Sequence, residues 1–465
     1  MEQTDTPVAA TRRRPFDERF DAGKQLRSVV SRESLGEFSA GDRDPGAIFD
    51  ETNKGRLPAL IPIRRQRMSQ SPFAFLRGAA ALMAVDLAAH PSPGITVQAC
   101  GDCHLMNFGA FLSPEGNALF DINDFDETLP GVDFTADVKR LAASFAVAAL
   151  AAGDSDKSAR RIAKGVALAY RDRMAKLARL SPLEAWHSRI DLTEEAEGLF
   201  SDDIAKKLRL AAAQKHADRR EDANFPHIAR DPATGDWRIE DNPPLIYHVP
   251  VQEDPSIHVD IPAVFAGVTN TLAPEVATLL ARYKLVDSAF KVVGVGSVGT
   301  YCAIGLFVTR DGDPLFLQVK EALTSALERL PCAPWTGQQG ARVVAGQRIM
   351  QAATDLFLGW TTEPTSGRQF YVRHLKNRRL GSISELLETK ALPQYATLCG
   401  RTLARAHARS ADAAVLWGYM GRNEAFADAI ASFAMLYAAQ NKKDFDGFVA
   451  VGDAAKPAKA KAARA

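Results

Sequence analysis

Six consecutive residues, Gly294-Val295-Gly296-Ser297-Val298-Gly299, restrict this chain more than any other feature. A G-x-G-x-x-G segment that serves a dinucleotide opens a helix at once, so that the helix N-terminus meets the pyrophosphate. Here the glycines lead into Tyr301-Cys302-Ala303-Ile304-Gly305-Leu306-Phe307-Val308, a strand-like run. Arg310-Asp311-Gly312-Asp313 then reads as a turn, and Leu315–Val319 as a return strand. Phe290–Gly294 is also rich in strand formers, so the glycines join two strands. Such a turn can bring its backbone close to phosphates because no Cβ intervenes. The return strand ends at Lys320, 21 residues beyond Gly299. The plainer alternative is a tight hairpin with a surface lysine.

A second constellation lies about 190 residues earlier. A short strand, Ile95–Ala99, runs into Gly101-Asp102-Cys103-His104-Leu105-Met106-Asn107, which sets Asp and Asn five positions apart. After another strand, Ala118–Ile122, comes Asn123-Asp124-Phe125-Asp126-Glu127. Phosphoryl transfer from ATP needs a carboxylate to accept the hydroxyl proton and oxygen ligands to hold Mg²⁺. Asp102, Asn107 and Asp124 supply those parts. Taken singly, each could merely cap a turn. Cys100-Gly101-Asp102-Cys103-His104 also fits a haem-attachment or Cys-x-x-Cys pattern. Haem attachment needs export, zinc needs a second ligand pair, and a redox pair belongs at a helix start.

Gly-Asp-x-His-x-x-Asn followed by an Asp-Phe segment resembles the catalytic and metal-binding loops of aminoglycoside and choline kinase relatives. By that resemblance Asp102 is the catalytic base, Asn107 and Asp124 hold metal, and Asp137 opens the following helix. His104 braces the loop. Leu317-Gln318-Val319-Lys320 is similar to the kinase strand whose lysine meets the α- and β-phosphates. Gly294, Gly296, Ser297 and Gly299 would then cover ATP. The kinase lysine is oriented by a Glu on the next helix, expected over Ala341–Ala353. That stretch holds no acid, and Glu321, Glu328 and Asp355 are flanking candidates. Cys399–His407 resembles the helix that leads into the catalytic loop, so both ends of the missing join are explained by one circular permutation. Tyr371–Leu375 is a candidate hinge.

The resemblance implies an α+β, protein-kinase-like two-lobed fold, circularly permuted, with a small antiparallel sheet lobe and a larger mainly helical lobe. It divides the chain into a surface-wrapping segment (1–60), a helical lobe with the catalytic and metal loops (61–285) and a Gly-rich-loop sheet lobe (286–380). C-terminal helices (381–450) complete the helical lobe, and a disordered basic tail (451–465) follows. The chain also resembles the bacterial domain-of-unknown-function family 2252. Ser71–Gly78, Cys100–Gly109, Phe120–Pro130, Lys291–Gly299, Leu315–Ala322 and Leu403–Ser410 carry that likeness.

Lys plus Arg total 57 and Asp plus Glu 56, so no global field favours nucleic acid or a membrane surface as partner. No apolar run approaches the roughly 18 residues of a membrane span. Arg12-Arg13-Arg14 is followed by charge where an export signal needs an apolar stretch. Five scattered cysteines suit the reducing cytosol. A cytoplasmic location is expected. From Ser71 one helix is expected to carry Phe73, Leu76, Ala80 and Met83 on one side. Arg77 after it is expected to pair with a carboxylate, and Trp335 and Trp360 to pack in the core.

These readings lead to a Mg²⁺–ATP-dependent phosphotransferase acting on a hydroxyl acceptor, by analogy a small molecule. The missing acid after Lys320 motivates an alternative, a non-catalytic nucleotide-binding module. Transfer of AMP is a third reading. The acceptor, the oligomeric state and the role of residues 155–285 are not specified by the sequence.

Overall fold

The computed structural model describes residues 14–199, 226–232, 234–248, 259–292, 294, 296, 298–375 and 391–462. The N-terminal part is helical: α1 (Phe16–Gln25), α2 (Pro45–Asn53), α3 (Ile61–Met68), α4 (Pro72–Gly78) and α5 (Ala80–Ala88). Ser71 caps α4 by accepting the Ala74 N–H, and Asp44 caps α2 through Gly46 N. The single helix expected from Ser71 is two helices, interrupted at Ala79 (φ −112°, ψ 32°).

Four short strands follow, β1 (Thr96–Ala99), β2 (Phe108–Leu112), β3 (Ala118–Ile122) and β4 (Leu129–Asp133). β1 pairs antiparallel with β4, and β2 with β3. Asp133 Oδ1 accepts Thr135 N at 2.9 Å and starts α6 (Thr135–Ala151). Nearly every residue of α6 up to Val147 is buried, so this helix is central to the core. α7 (Asp156–Leu177) is instead amphipathic, burying Ala159, Ile162, Ala163, Val166, Tyr170 and Met174 at helical spacing. Two short helices, α8 (Pro182–His187) and α9 (Leu192–Leu199), come next.

After the small strands β5 (Ile228–Arg230), β6 (Trp237–Ile239) and β7 (Ile246–Tyr247) lie α10 (Ile261–Val268) and α11 (Pro274–Leu280). The main sheet then forms from β8 (Lys284–Lys291), β9 (Cys302–Val308) and β10 (Pro314–Glu321). Helix α12 (Gln339–Met350) precedes β11 (Gly359–Thr362) and β12 (Gln369–His374). The order is β11-β12-β10-β9-β8-β7, with antiparallel pairing throughout. The chain ends in α13 (Leu392–Ala408), α14 (Ala413–Met420) and α15 (Ala425–Ala462). The last helix extends to Ala462, into the stretch read as a basic tail, and residues 463–465 lie outside the described ones.

The architecture is therefore mixed α+β with small antiparallel sheets. One large apolar cluster holds α6, α7, α13, α14 and α15 together, and includes Val343, Val344 and Met350 of α12. Trp335 and Trp360 pack against it, as expected. A second cluster joins α10 and α11 to one face of the six-stranded sheet through Leu315, Leu317 and Val319. Because side chains alternate along a strand, Gln318 and Lys320 point to the opposite face. At Lys320 that face meets the loop after β3, through Asp126. Among the described residues no helix is long and apolar enough to cross a membrane.

Candidate functional site

The loop after β1 is held from below by the first turn of α6. Asp137 Oδ2 accepts Cys100 N at 2.7 Å, and Oδ1 accepts Gly101 N at 3.1 Å. His407, at the end of α13, sits with Nε2 3.1 Å from the same Oδ2, and its Nδ1 lies 2.9 Å from the Tyr170 hydroxyl. Gly101 is obligatory here: its φ is +94°, and a Cβ would lie 2.4 Å from the Glu127 carbonyl oxygen.

Asp102 is thereby fixed one residue beyond a rigid anchor. Its Oδ1 accepts from Arg140 Nε at 2.7 Å and also from Arg140 Nη2. Oδ2 lies 3.5 Å from His104 Nε2. His104 is buried, its Nδ1 has no partner, and burial pushes its pKa down to about 4 despite the Asp102 carboxylate. It is a neutral ring beside the loop. The bracing expected of it is shared by Asp137, Arg140 and Asn107, whose Nδ2 donates to the Asp102 carbonyl at 2.6 Å.

The β2–β3 hairpin brings Asn107 to the residue before Asp124, where Asn123 N donates to the Asn107 carbonyl at 2.8 Å. Burial, and then the adjacent Asp126 carboxylate, raise the pKa of Asp124. Among the described residues no cation lies within ion-pair distance of Asp124. Asp124 Oδ1 accepts Asp126 N at 3.2 Å, and both carboxylates line the cavity and are oxygen donors of the kind Mg²⁺ takes, whereas the Asn107 amide is turned to the Asp102 carbonyl.

Asp126 is engaged differently. Lys320 Nζ lies 2.5 Å from its Oδ2, and the Tyr371 hydroxyl donates to Oδ1 at 2.5 Å. Burial would raise this carboxyl, but the Lys320 ammonium outweighs it and holds the pKa at about 2. The flanking acids considered for Lys320 are occupied elsewhere or do not pair with it. Glu321 binds Arg368 at 2.6 Å, and Asp355 accepts the backbone N–H groups of Phe357 and His374. Helix α12 starts at Gln339 and supplies Arg342, which clamps the Asp126 carbonyl (2.9 Å) and also donates to the Thr128 carbonyl.

The glycine turn connects β8 and β9, which are neighbours in the sheet. Gly294 has φ +65°, and its carbonyl accepts from Arg67 Nη1. The Gly299 carbonyl accepts Leu57 N at 2.7 Å. Gly296 reaches furthest: a Cβ there would stand 3.0 Å from the Arg77 carbonyl and 3.7 Å from Asp102 Oδ2. Ser297 lies outside the described residues. Asp102, Asp124, Asp126 and Gly296 line one cavity of roughly 540 Å³. Arg77 also lines it, and among the described residues pairs with no carboxylate, contrary to expectation. Of the proposed hinge, Tyr371 to His374 form β12 and Leu375 N donates to Phe316 O at 2.9 Å. The residues after it lie outside the described ones.

Cys100, Cys103 and Asp137 bring ligand atoms within 4.8 Å of one another. The Asp137 carboxylate already accepts two loop N–H groups and meets His407, so a structural hydrogen-bond role accounts for it. Asp126, Arg140 and His407 are the residues that sequence reasoning passed over. Asp126 was signalled only by standing two places after Asp124, and Arg140 and His407 only by being polar residues within largely buried helices.

A model of the family described as "Uncharacterized protein conserved in bacteria (DUF2252)" matches residues 56–451. No curated protein and no solved structure matches the chain.

Proposed function

The chain belongs to this bacterial family, and from the geometry of its site we propose that it is a phosphotransferase that moves the γ-phosphoryl group of ATP to a hydroxyl acceptor. One observation carries the reading: the glycine turn and the Asp102 loop, about 190 positions apart in sequence, meet at Gly296 and Asp102 Oδ2. Arg140 occupies Oδ1, so Oδ2 is the oxygen turned toward the cavity and the one that receives the proton. The acceptor oxygen bonds to the γ-phosphorus as its proton passes to Asp102. The bond from that phosphorus to the β–γ bridging oxygen breaks, and ADP leaves with the electron pair.

Asn107 and Asp124 would hold Mg²⁺, which supplies neutralisation of phosphate charge. Gly294, Gly296 and Gly299 would meet the phosphates with backbone, Gly296 being the one that lines the cavity, and Lys320, held on Asp126, would supply a cation. A circularly permuted kinase-like fold is supported by the junction at α13. Gln98 N donates to Ser410 Oγ at 2.8 Å, so the residues just past α13 touch the strand that leads into the Asp102 loop. The absent acid in α12 was the reason to consider a non-catalytic module. Asp126 supplies the acid that Lys320 requires.

The test is Asp102→Asn in the full chain, with ATP turnover read as phosphate release, water serving as default acceptor. Turnover should fall by about 10²–10⁴-fold, with ATP affinity close to native. An unchanged rate would remove Asp102 from the chemistry.

A further inference from the structure

Among the described residues the cavity in front of Asp102 carries buried guanidinium groups that donate no hydrogen bond to a carboxylate. Three arginines from the α2–α4 region, Arg56, Arg64 and Arg77, line it. Arg64 is 4% exposed. Its Nη1 donates to Asn53 Oδ1 at 2.9 Å and its Nη2 to the Gly78 carbonyl at 2.8 Å, while Nε is buried without a partner. Arg56 donates to the Thr52 carbonyl at 2.9 Å and the Val298 carbonyl at 2.6 Å. Arg77 makes no hydrogen bond among the described residues, and its Nε is also buried. Among the described residues every hydrogen-bond partner of these guanidinium groups is neutral.

Four of the carboxylates that line the cavity are committed elsewhere, while Asp124, Glu127 and Glu328 form no ion pair among the described residues. Asp102 is paired with Arg140, Asp126 with Lys320, Glu321 with Arg368 and Glu51 with Arg329. Glu127 is the acid whose field reaches Arg56 and Arg64, and its Oε2 accepts Ala326 N at 2.5 Å. Burial lowers the pKa of all three arginines, that of Arg64 to about 9, with Arg56 adding to it. Buried cations without counter-ions are costly, and the guanidinium fork matches the oxygens of a phosphate.

We propose that Arg56, Arg64 and Arg77 bind an anionic group of the acceptor, a phosphate monoester, so that the acceptor is a small, already phosphorylated hydroxyl compound. The assignment of this anion to an acceptor rests on the phosphotransferase reading; the existence of the anion site does not. Glu127 lies in the field of Arg56 and Arg64, and Asp102 and Asp124 in that of Arg77. Among the described residues none of these acids accepts a hydrogen bond from the three guanidinium groups, which leaves N–H donors for the oxygens of a phosphate. The Arg77 carbonyl and Asp102 Oδ2 both lie beside Gly296, and the Arg77 guanidinium is in the field of Asp102, which sets the arginine close to the proposed base. A cavity of roughly 540 Å³ admits a small molecule of this kind.

Calorimetric titration of the full chain tests this, with inorganic phosphate in one series and ATP plus Mg²⁺ in another. Native protein, Arg77→Gln and Arg56→Gln are compared, with thermal unfolding as the folding control. Arg77 makes no hydrogen bond to lose, so its variant should unfold as the native chain does. The expected result is phosphate binding that weakens by about tenfold or more in either variant, while ATP affinity stays within about threefold. No phosphate binding to the native chain, or equal binding by the variants, would overturn the anion site. Equal loss of ATP and phosphate affinity would give the arginines to the nucleotide and overturn the acceptor assignment. Arginine-dependent phosphate binding by a chain that does not bind ATP would uphold the site and remove the phosphotransferase reading.

Discussion

Lys320 Nζ and Asp126 Oδ2 lie 2.5 Å apart across 194 positions of sequence. Lys320 comes from the sheet and Asp126 from the loop after β3, so the pair ties two distant blocks into one site. Its fixed geometry is completed by the Tyr371 hydroxyl on Asp126 Oδ1 and by Arg342 on the Asp126 carbonyl.

Asp126→Asn should therefore destabilise the protein, because it leaves a buried ammonium with a neutral partner. The cost should be about 3 kcal/mol, at the low end for a broken buried pair, since the Asp126 side chain keeps 24% of its exposure. Lys320→Met combined with Asp126→Leu should recover most of it, as apolar replacements of buried pairs commonly do. Denaturant unfolding of the two variants checks this. A single variant as stable as the native chain would show that the pair contributes nothing.

Arg405 and Asp121 form a second buried pair, linking α13 to β3, with side chains 0% and 1% exposed. Asp121 Oδ2 also accepts Ala352 N at 2.8 Å, beyond the end of α12. Arg405→Met should cost about 3–5 kcal/mol, because it strands a carboxylate in the core. A thermal shift indistinguishable from native would contradict that role.

Acid should weaken the fold through His104. Its folded pKa is held down to about 4 by burial, against an ordinary value of 6.5. The unfolded chain thus takes up the proton first as pH falls. The stabilisation is complete above about pH 6.5 and is lost as pH falls toward 4, amounting to about 3 kcal/mol at most. His104→Gln should flatten the stability profile across that window, whatever it does to absolute stability. Equal slopes for native and variant, measured by denaturation between pH 7 and 4.5, would refute the assignment.

The strands and the glycine turn were legible because period-two patterning and Gly-Asp punctuation are local signals. β3 occupies Ala118–Ile122 as read, and α13 begins two residues before the expected Gln394. What escaped was set by tertiary contacts. The break at Ala79 lies within Gly78-Ala79-Ala80-Ala81, mostly good helix formers. It is imposed where Gly78 is pressed against Met68, whose Sδ would be 2.5 Å from a Cβ, and where Arg64 takes the Gly78 carbonyl. The acid for Lys320 was sought on the next helix because nearness in sequence was the available guide. It arrives from a loop 194 positions earlier. Arg77 was expected to find a carboxylate. It lies instead against the cavity, where no carboxylate among the described residues pairs with it.

The central claim, that the glycine turn, Lys320 and the Asp124 loop form one nucleotide site, is tested most directly by ATP calorimetry with and without Mg²⁺. Native chain, Lys320→Ala and Asp124→Ala should be compared. Mg²⁺-dependent binding that weakens about tenfold or more in both variants is the expected result. Absence of ATP binding by the native chain, or binding indifferent to both substitutions, would contradict it.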